Sequence, residues 1–104
     1  MNSNLANTKL KEMLDLLDKN RYKGAEETID FGRMVYEECK KEDYEPGMAF
    51  SLLAIGQSCV DSSHYEDALN YLFDSIKLAQ NRDICDLQIL AYISIGNMYF
   101  DLGN

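Results

Sequence analysis

Apolar residues recur along this chain every three or four positions, which is the spacing of one face of an α-helix. The pattern predicts five helices separated by short polar breaks. Three of them are expected at about residues 4–19, 22–41 and 46–61. The fourth runs from Ser63 to about residue 80, and the fifth runs from Asp83 to about residue 102. The predicted fold class is therefore all-α.

Local signals indicate where these helices begin and end. Pro46 suits the first turn of the third helix, where its missing amide proton costs no hydrogen bond. Ser63 and Glu66 have the spacing of a capping box, so they are expected to open the fourth helix. Asp83 is the expected N-cap of the fifth helix, and Gly103 is expected to terminate it.

The helical period also predicts which side chains form the core. The second helix is expected to direct these residues inward: Ala25, Ile29, Gly32, Val35, Tyr36 and Cys39. The third is expected to direct inward Ala49, Leu52, Ile55, Gly56 and Cys59. The fourth is expected to bury Ala68, Leu69, Leu72, Phe73, Ile76 and Ala79. The fifth carries Ile89, Tyr92, Ile95, Gly96 and Tyr99.

Several short motifs occur more than once. Two apolar residues precede an aspartate at residues 16–18, 59–61 and 99–101. Tyr22-x-x-Ala25 recurs as Tyr65-x-x-Ala68, and Ile55-Gly56 recurs as Ile95-Gly96. The spacing is 43 residues for the tyrosine motif and 40 residues for the Ile-Gly motif. Self-similarity at this period indicates stacked helical hairpins, which bury their apolar faces against their neighbours.

These motifs resemble the tetratricopeptide repeat. The third and fourth helices carry the similarity at Leu52, Ile55-Gly56, Cys59, Tyr65, Ala68, Leu72 and Ser75. The fifth helix repeats its first half at Tyr92, Ile95-Gly96, Tyr99 and Gly103. The resemblance implies a TPR-like α-α superhelix of stacked antiparallel hairpins. Small residues are expected to permit close helix approach at Gly56, Gly96, Ala25 and Ala68.

The sequence departs from the family pattern in two ways. Its repeat spacing exceeds the usual length of about 34 residues. Similar lengthened repeats occur in bacterial peptide-pheromone receptors and ahead of bacterial signalling output domains. The first helix also fits poorly, because Lys9 and Glu12 stand where apolar residues are expected and Met13 replaces glycine. It is either a capping helix with a polar outer face or a helix outside the repeat.

The repeats divide a single domain, residues 1–104, into repeat 1 at about 4–43, repeat 2 at about 46–82 and half of repeat 3 at about 84–104. The spacing places the aromatic residue that would open a sixth helix directly after Asn104. We therefore expect the chain to be the N-terminal fragment of a longer array. The last helix would then be unpaired, leaving Tyr92, Ile95 and Tyr99 to be covered by a second copy in a homodimer.

The resemblance implies a concave groove lined by the first helix of each hairpin. In this sequence the corresponding positions are Phe50, Leu53, Gln57, Val60, Asp61, Leu90, Ile93, Asn97, Phe100 and Asp101. Gln57 and Asn97 occupy the position where the family often places an asparagine that grips a peptide backbone, because an amide both donates and accepts. Asp61 and Asp101 would suit a basic or amino-terminal group.

Simpler roles remain open for all these positions. The amides and carboxylates could equally be polar residues of a solvent-exposed helix surface. The apolar side chains could equally belong to the core between repeats. The groove positions include no lysine or arginine, so a carboxylate clamp for an acidic C-terminal tail is not expected.

Composition and charge narrow the class of partner. The 104 residues are 46% hydrophobic, with a formal net charge of −8. This favours one globular domain and disfavours nucleic acid, because binding phosphates needs a positive face. The acidic residues either form a surface exposed to solvent or bind a basic partner. The sequence contains no membrane-spanning apolar run, and we expect no signal peptide. Its cysteines are odd in number and widely spaced, which favours a cytoplasmic location.

Catalysis has little support in the sequence. His64 is the one histidine and falls at a predicted turn. Cys59 is predicted to pack in the core, while Cys39 and Cys85 have no adjacent base. We expect no metal, no cofactor and no enzyme activity, since neither a ligand cluster nor a phosphate-binding loop occurs.

The predicted function is protein or peptide binding, as the sensory or scaffolding N-terminal part of a bacterial signalling protein. The resemblance suggests a diguanylate cyclase, a kinase or a helix-turn-helix regulator as the output. The alternative is a structural dimerisation module with no separate ligand. A small enzyme is the third possibility, and a polar pocket around His64 would support it.

Overall fold

The computed structural model describes residues 2–20 and 24–103, with side chains from residue 8 onward in those ranges. Five helices account for nearly all of this part of the chain, and it contains no strand. They are α1 (Asn2–Asn20), α2 (Ala25–Lys41), α3 (Glu45–Asp61), α4 (Tyr65–Asn81) and α5 (Cys85–Gly103). The all-α prediction is confirmed. Tyr22, which was expected to open the second helix, lies outside the described residues.

The last four helices follow a strict period. They begin at residues 25, 45, 65 and 85, so 20 residues separate one start from the next. One hairpin therefore spans 40 residues, which agrees with the Ile-Gly motif. The 43-residue spacing of the tyrosine motif does not fit this frame. In the frame of 40 residues, buried Thr28 corresponds to buried Ala68, whereas Ala25 is half-buried.

The period comes from one turn geometry that is used three times. After α2, the amide of Asp43 donates to the carbonyl of Lys40, and the amide of Tyr44 donates to the carbonyl of Cys39. These paired hydrogen bonds define the Schellman motif, which satisfies the last carbonyls of a helix. The same pair of bonds recurs after α3 and after α4, at Ser63 and His64 and at Asp83 and Ile84.

The turn geometry overturns two predicted caps. The Schellman motif needs a left-handed residue, and Asp43, Ser63 and Asp83 supply it with φ angles of 54°, 64° and 55°. Ser63 therefore does not form a capping box. His64 occupies the N-cap of α4, with no side-chain cap hydrogen bond. Asp83 likewise lies in the turn, and the carbonyl of Ile84 accepts the first helical bond of α5.

Replacing Ser63 with glycine is expected to stabilise the fold by about 0.5–1 kcal/mol. A left-handed conformation costs a residue with a Cβ about 1–2 kcal/mol, and glycine's greater loss of backbone freedom offsets part of that gain. Urea denaturation measures the change, and Ser63→Val should lower stability instead. Equal stability of the glycine and valine variants would contradict the left-handed turn.

The order of helix contacts shows how the hairpins are arranged. Each helix packs against the next one along the chain. In addition, α3 contacts both α1 and α5, whereas α2 and α4 do not meet through their backbones. The odd-numbered helices therefore form one layer, with the even-numbered helices behind them. The described residues extend over 52 × 28 × 18 Å, as expected for helices packed side by side.

The core has two centres on either side of α3. The first contains Leu10, Leu17, Val35, Cys39 and Ala54. The second contains Leu53, Ile55, Cys59, Val60, Ala68, Leu72, Ile76, Ala91 and Met98. α3 contributes to both, and most of its residues are buried. It is consequently the central helix of the described chain.

Glycines allow α3 to approach its neighbours closely. A Cβ on Gly56 would lie 2.7 Å from Cγ of Leu72, and one on Gly32 would lie 2.6 Å from Cγ1 of Ile55. Gly56 therefore has its predicted role. Gly96 does not, because a Cβ there would meet nothing within 4 Å. A second correction concerns Phe73, which was predicted to be buried but is 51% exposed.

One predicted feature of the start of α3 is confirmed, and the structure adds an ion pair beside it. Pro46 lies in the first turn of the helix. Nearby, Nε of Arg82 donates to Oε1 of Glu45 at 2.9 Å, which connects the end of α4 to the start of α3.

Within the described ranges, no helix has both the length and the apolar character needed to cross a bilayer.

Candidate functional site

A groove lies between α3 and α5, on the side of the layer formed by the odd-numbered helices. Its volume is about 510 Å³. We call it the α3/α5 groove. Its lining residues are Gln57, Val60, Asp61, Leu90, Ile93, Ser94, Asn97, Phe100 and Asp101.

The structure brings together eight of the ten residues predicted for a groove. The two exceptions are Leu53 and Phe50. Leu53 is fully buried, because it packs in the second core between α3 and its neighbours. Phe50 is half-buried and lines a separate depression of about 300 Å³ beside Leu14 and Asp18 of α1.

Ser94 is the lining residue that the sequence did not predict. Its hydroxyl donates to the carbonyl of Leu90 at 3.0 Å and accepts from Nε2 of Gln57 at 3.2 Å. A signal was available in the repeat, because Ser94 replaces buried Ala54 at the equivalent position of α3. The contact crosses the floor of the groove and fixes the side chain of Gln57. Exposed Asn97 is therefore the amide better placed to meet a ligand.

Apolar side chains form one wall of the groove. Ile93 is 53% exposed and Phe100 is 71% exposed. Both lie on α5, whereas Val60 on α3 is almost completely covered. An exposed aromatic ring beside an exposed branched side chain offers a ligand apolar area to bury.

Two carboxylates lie in the same groove. Partial burial raises the pKa of Asp61 above its ordinary value, and the negative charge of Asp101 raises it further. Both carboxylates therefore carry negative charge into the same groove. A cation bound there would offset this charge, so the groove favours a positively charged group.

The raised pKa of Asp61 predicts a pH-dependent effect of Asp61→Asn. Ionisation of Asp61 opposes folding, so the contribution of this residue to stability is greatest below its ordinary pKa of 3.8 and is lost at neutral pH. The variant should therefore melt at a higher temperature than the wild type at pH 7, and the difference should vanish at about pH 3.

Circular dichroism melts at both pH values measure this difference. Asp74→Asn, which removes an exposed carboxylate of α4 outside the groove, corrects for the loss of one charge. If Asp61→Asn melts at or below the wild-type temperature at pH 7, then ionised Asp61 does not destabilise the fold.

Outside the groove, titratable side chains line a second depression of about 320 Å³, which is formed by Glu26, Ile29, Asp30, Arg33, Cys59, His64 and Asp67. His64 is exposed, and its Nδ1 lies 2.9 Å from Oγ of Ser62. Burial raises the pKa of the Cys39 thiol to about 11, and it also raises that of Cys59. Both thiols are packed in the core, whereas Cys85 is exposed. Across residues 8–20 and 24–103, no three His, Cys, Asp or Glu side chains converge on a possible metal position.

Comparisons of the chain with protein-family models, with curated proteins and with solved structures give no significant match.

Proposed function

We propose that the chain is a TPR-like protein- or peptide-binding module whose α3/α5 groove holds a polypeptide with a basic group. One observation carries the proposal. The groove between two consecutive odd-numbered helices combines an exposed apolar wall, an exposed amide and two carboxylates. These are the three kinds of contact that a peptide with an apolar side chain and a cation requires.

Each part of the groove has a distinct role in this proposal. Ile93 and Phe100 bury an apolar side chain of the ligand. Asn97 hydrogen-bonds to the ligand backbone, and such a bond contributes about 0.5–1.5 kcal/mol. Asp61 and Asp101 hold a lysine, an arginine or an amino terminus. Because these charges are only partly shielded from water, they contribute more to specificity and association rate than to affinity.

The wider role follows from the resemblance in the sequence. Lengthened tetratricopeptide repeats occur in bacterial signalling proteins, so we place this module in the sensory or scaffolding part of such a protein in the cytoplasm. The output domain would respond to occupancy of the groove.

Selection from a library of random extended peptides tests the proposal. Peptides enriched on the immobilised chain should contain lysine or arginine next to an apolar residue. For a selected peptide, the double variant Asp61→Lys with Asp101→Lys should weaken binding by about tenfold or more, as measured by fluorescence anisotropy. Raising the salt concentration from about 50 to about 500 mM should also weaken it.

A control variant with the same change in net charge distinguishes an effect of the groove from a general effect of charge. Glu37→Lys with Asp74→Lys changes the net charge by the same amount on exposed positions of α2 and α4, away from the groove. It should retain most of the affinity. An equal loss in both double variants would show that net charge rather than the groove governs binding, and failure to enrich basic peptides would refute the proposal.

A further inference from the structure

α5 has an exposed apolar surface that is separate from the groove. We call it the outer face of α5. It consists of exposed Ile89, Tyr92, Gly96, Tyr99 and Leu102, together with Ile95, which is half-buried and packs against the second core. Ile89, Tyr92, Tyr99 and Leu102 are 56%, 53%, 57% and 55% exposed. At 100° per residue, all six positions fall on one side of the helix, next to the side that carries Ile93 and Asn97. The face therefore lies beside the groove and does not overlap it.

The equivalent face of α3 shows what such a surface packs against. In the frame of 40 residues, Ile89, Tyr92, Gly96 and Tyr99 correspond to Ala49, Leu52, Gly56 and Cys59, all of which are buried. There, Leu72 of α4 packs onto Gly56, and Oγ of Ser75 donates to the carbonyl of Ala49 at 2.7 Å. The outer face of α5 thus has the positions that α3 uses to hold an antiparallel helix closely.

The order of side chains on the outer face favours a second copy of the chain as the occupant. The face is nearly symmetric about its midpoint between residues 95 and 96: Ile89 mirrors Leu102, and Tyr92 mirrors Tyr99. Two antiparallel copies of α5 would therefore place Tyr92 against the partner's Tyr99, and Ile89 against the partner's Leu102. A two-fold interface requires this reciprocity, because each contact between a residue of one copy and a residue of the other occurs a second time with the two copies exchanged.

We infer that a second copy of the chain covers the outer face, with α5 packed antiparallel to α5 of the second copy. Gly96 and Ile95 lie at the centre of this contact, where the absence of a Cβ on Gly96 permits close approach of the two helices. This interface goes beyond the proposed groove function, because it uses another side of α5 and needs no ligand.

The size and charge of the face set the strength of the dimer. Each half-exposed tyrosine offers on the order of 100 Å². The six positions together reach several hundred Å² per copy, below the roughly 800 Å² of a standard stable interface. A reversible dimer is expected, with a dissociation constant in the micromolar range or weaker. Each copy carries a net charge of −8, so salt should screen the repulsion and strengthen the dimer.

Sedimentation equilibrium of the full chain tests the interface. The wild type should shift from monomer to dimer as the concentration rises, and the dissociation constant should fall when salt is raised from about 50 to about 500 mM. Tyr99→Asp should weaken the dimer at least tenfold. Phe73→Asp places the same charge on a similarly exposed aromatic position of α4 and should leave the dimer unchanged. A wild type that stays monomeric at millimolar concentration would overturn the inference, as would equal effects of the two variants.

Disulfide trapping tests the antiparallel register. In a Cys85→Ser background, Tyr92→Cys and Tyr99→Cys chains are mixed and oxidised; Cys39 and Cys59 are buried. The mixed disulfide should exceed both homodisulfides several-fold, because only residues 92 and 99 oppose each other across the proposed axis. A statistical mixture, or an excess of either homodisulfide, would overturn the proposed register.

Discussion

Gly56→Val is expected to lower the free energy of unfolding by about 2–3 kcal/mol, whereas Gly96→Val should change it by less than about 0.5 kcal/mol. The two glycines each occupy the twelfth position of their helices, α3 and α5. A Cβ on Gly56 would lie 2.7 Å from both Cγ and Cδ2 of Leu72 and 3.4 Å from its backbone nitrogen. Leu72 cannot swing aside, because the clash involves its branch point.

Urea denaturation at low micromolar concentration measures both variants, so that dimerisation does not contribute to the measured stability. The Gly96 variant is the matched control, because the substitution, the residue and the helix position are the same. Similar losses at the two sites would contradict the close approach of α3 and α4. A large loss at Gly96 alone would contradict the exposure of the outer face of α5.

Leu53→Ala is expected to lower the free energy of unfolding by about 2–5 kcal/mol, the usual cost of emptying a buried leucine site. Leu53 is fully buried in the second core. Ile93 occupies the equivalent position of α5 and is 53% exposed, so Ile93→Ala should cost less than about 0.5 kcal/mol. The same exchange should instead reduce peptide affinity, because Ile93 lines the α3/α5 groove.

Denaturation and peptide-binding measurements on the two alanine variants distinguish a residue of the core from a residue of the groove. We expect a stability defect for Leu53→Ala and an affinity defect for Ile93→Ala. If Ile93→Ala destabilises the chain as much as Leu53→Ala does, then α5 is covered in solution by more of the chain than the described residues provide.

Helix positions were predictable because they depend on local periodicity. Observed starts and ends lie within about three residues of those expected from the apolar spacing, and Pro46 lies in the first helical turn as predicted. The turns were less predictable. Serine and aspartate are common N-caps, but at Ser63 and Asp83 the left-handed C-terminal motif of the preceding helix prevails.

Burial was less predictable than helix position, because it depends on which neighbouring helices cover each side chain. Leu53 and Ile93 have similar chemistry and equivalent places in the repeat, yet one is buried in the core and the other is exposed in the groove. Gly56 and Gly96 differ for the same reason. Periodicity within one sequence identifies equivalent positions, but it does not say how many helices cover each of them.

The groove positions were predicted from the resemblance to the tetratricopeptide repeat, whereas the contacts among these residues were not predicted. Eight predicted residues line the α3/α5 groove. The Gln57–Ser94 hydrogen bond and the influence of Asp101 on the pKa of Asp61 depend on how far apart α3 and α5 lie. That distance is set by the packing of buried Ala91 and Met98 into the second core.

The most direct test of groove binding is a methyl NMR titration of the isoleucine-labelled chain with a basic peptide selected on it. Ile93 and Ile89 are 53% and 56% exposed on the same helix, but only Ile93 lines the groove. We expect the δ1 methyl signal of Ile93 to shift on binding, while that of Ile89 stays in place. A shift of Ile89 without Ile93 would contradict binding in the groove.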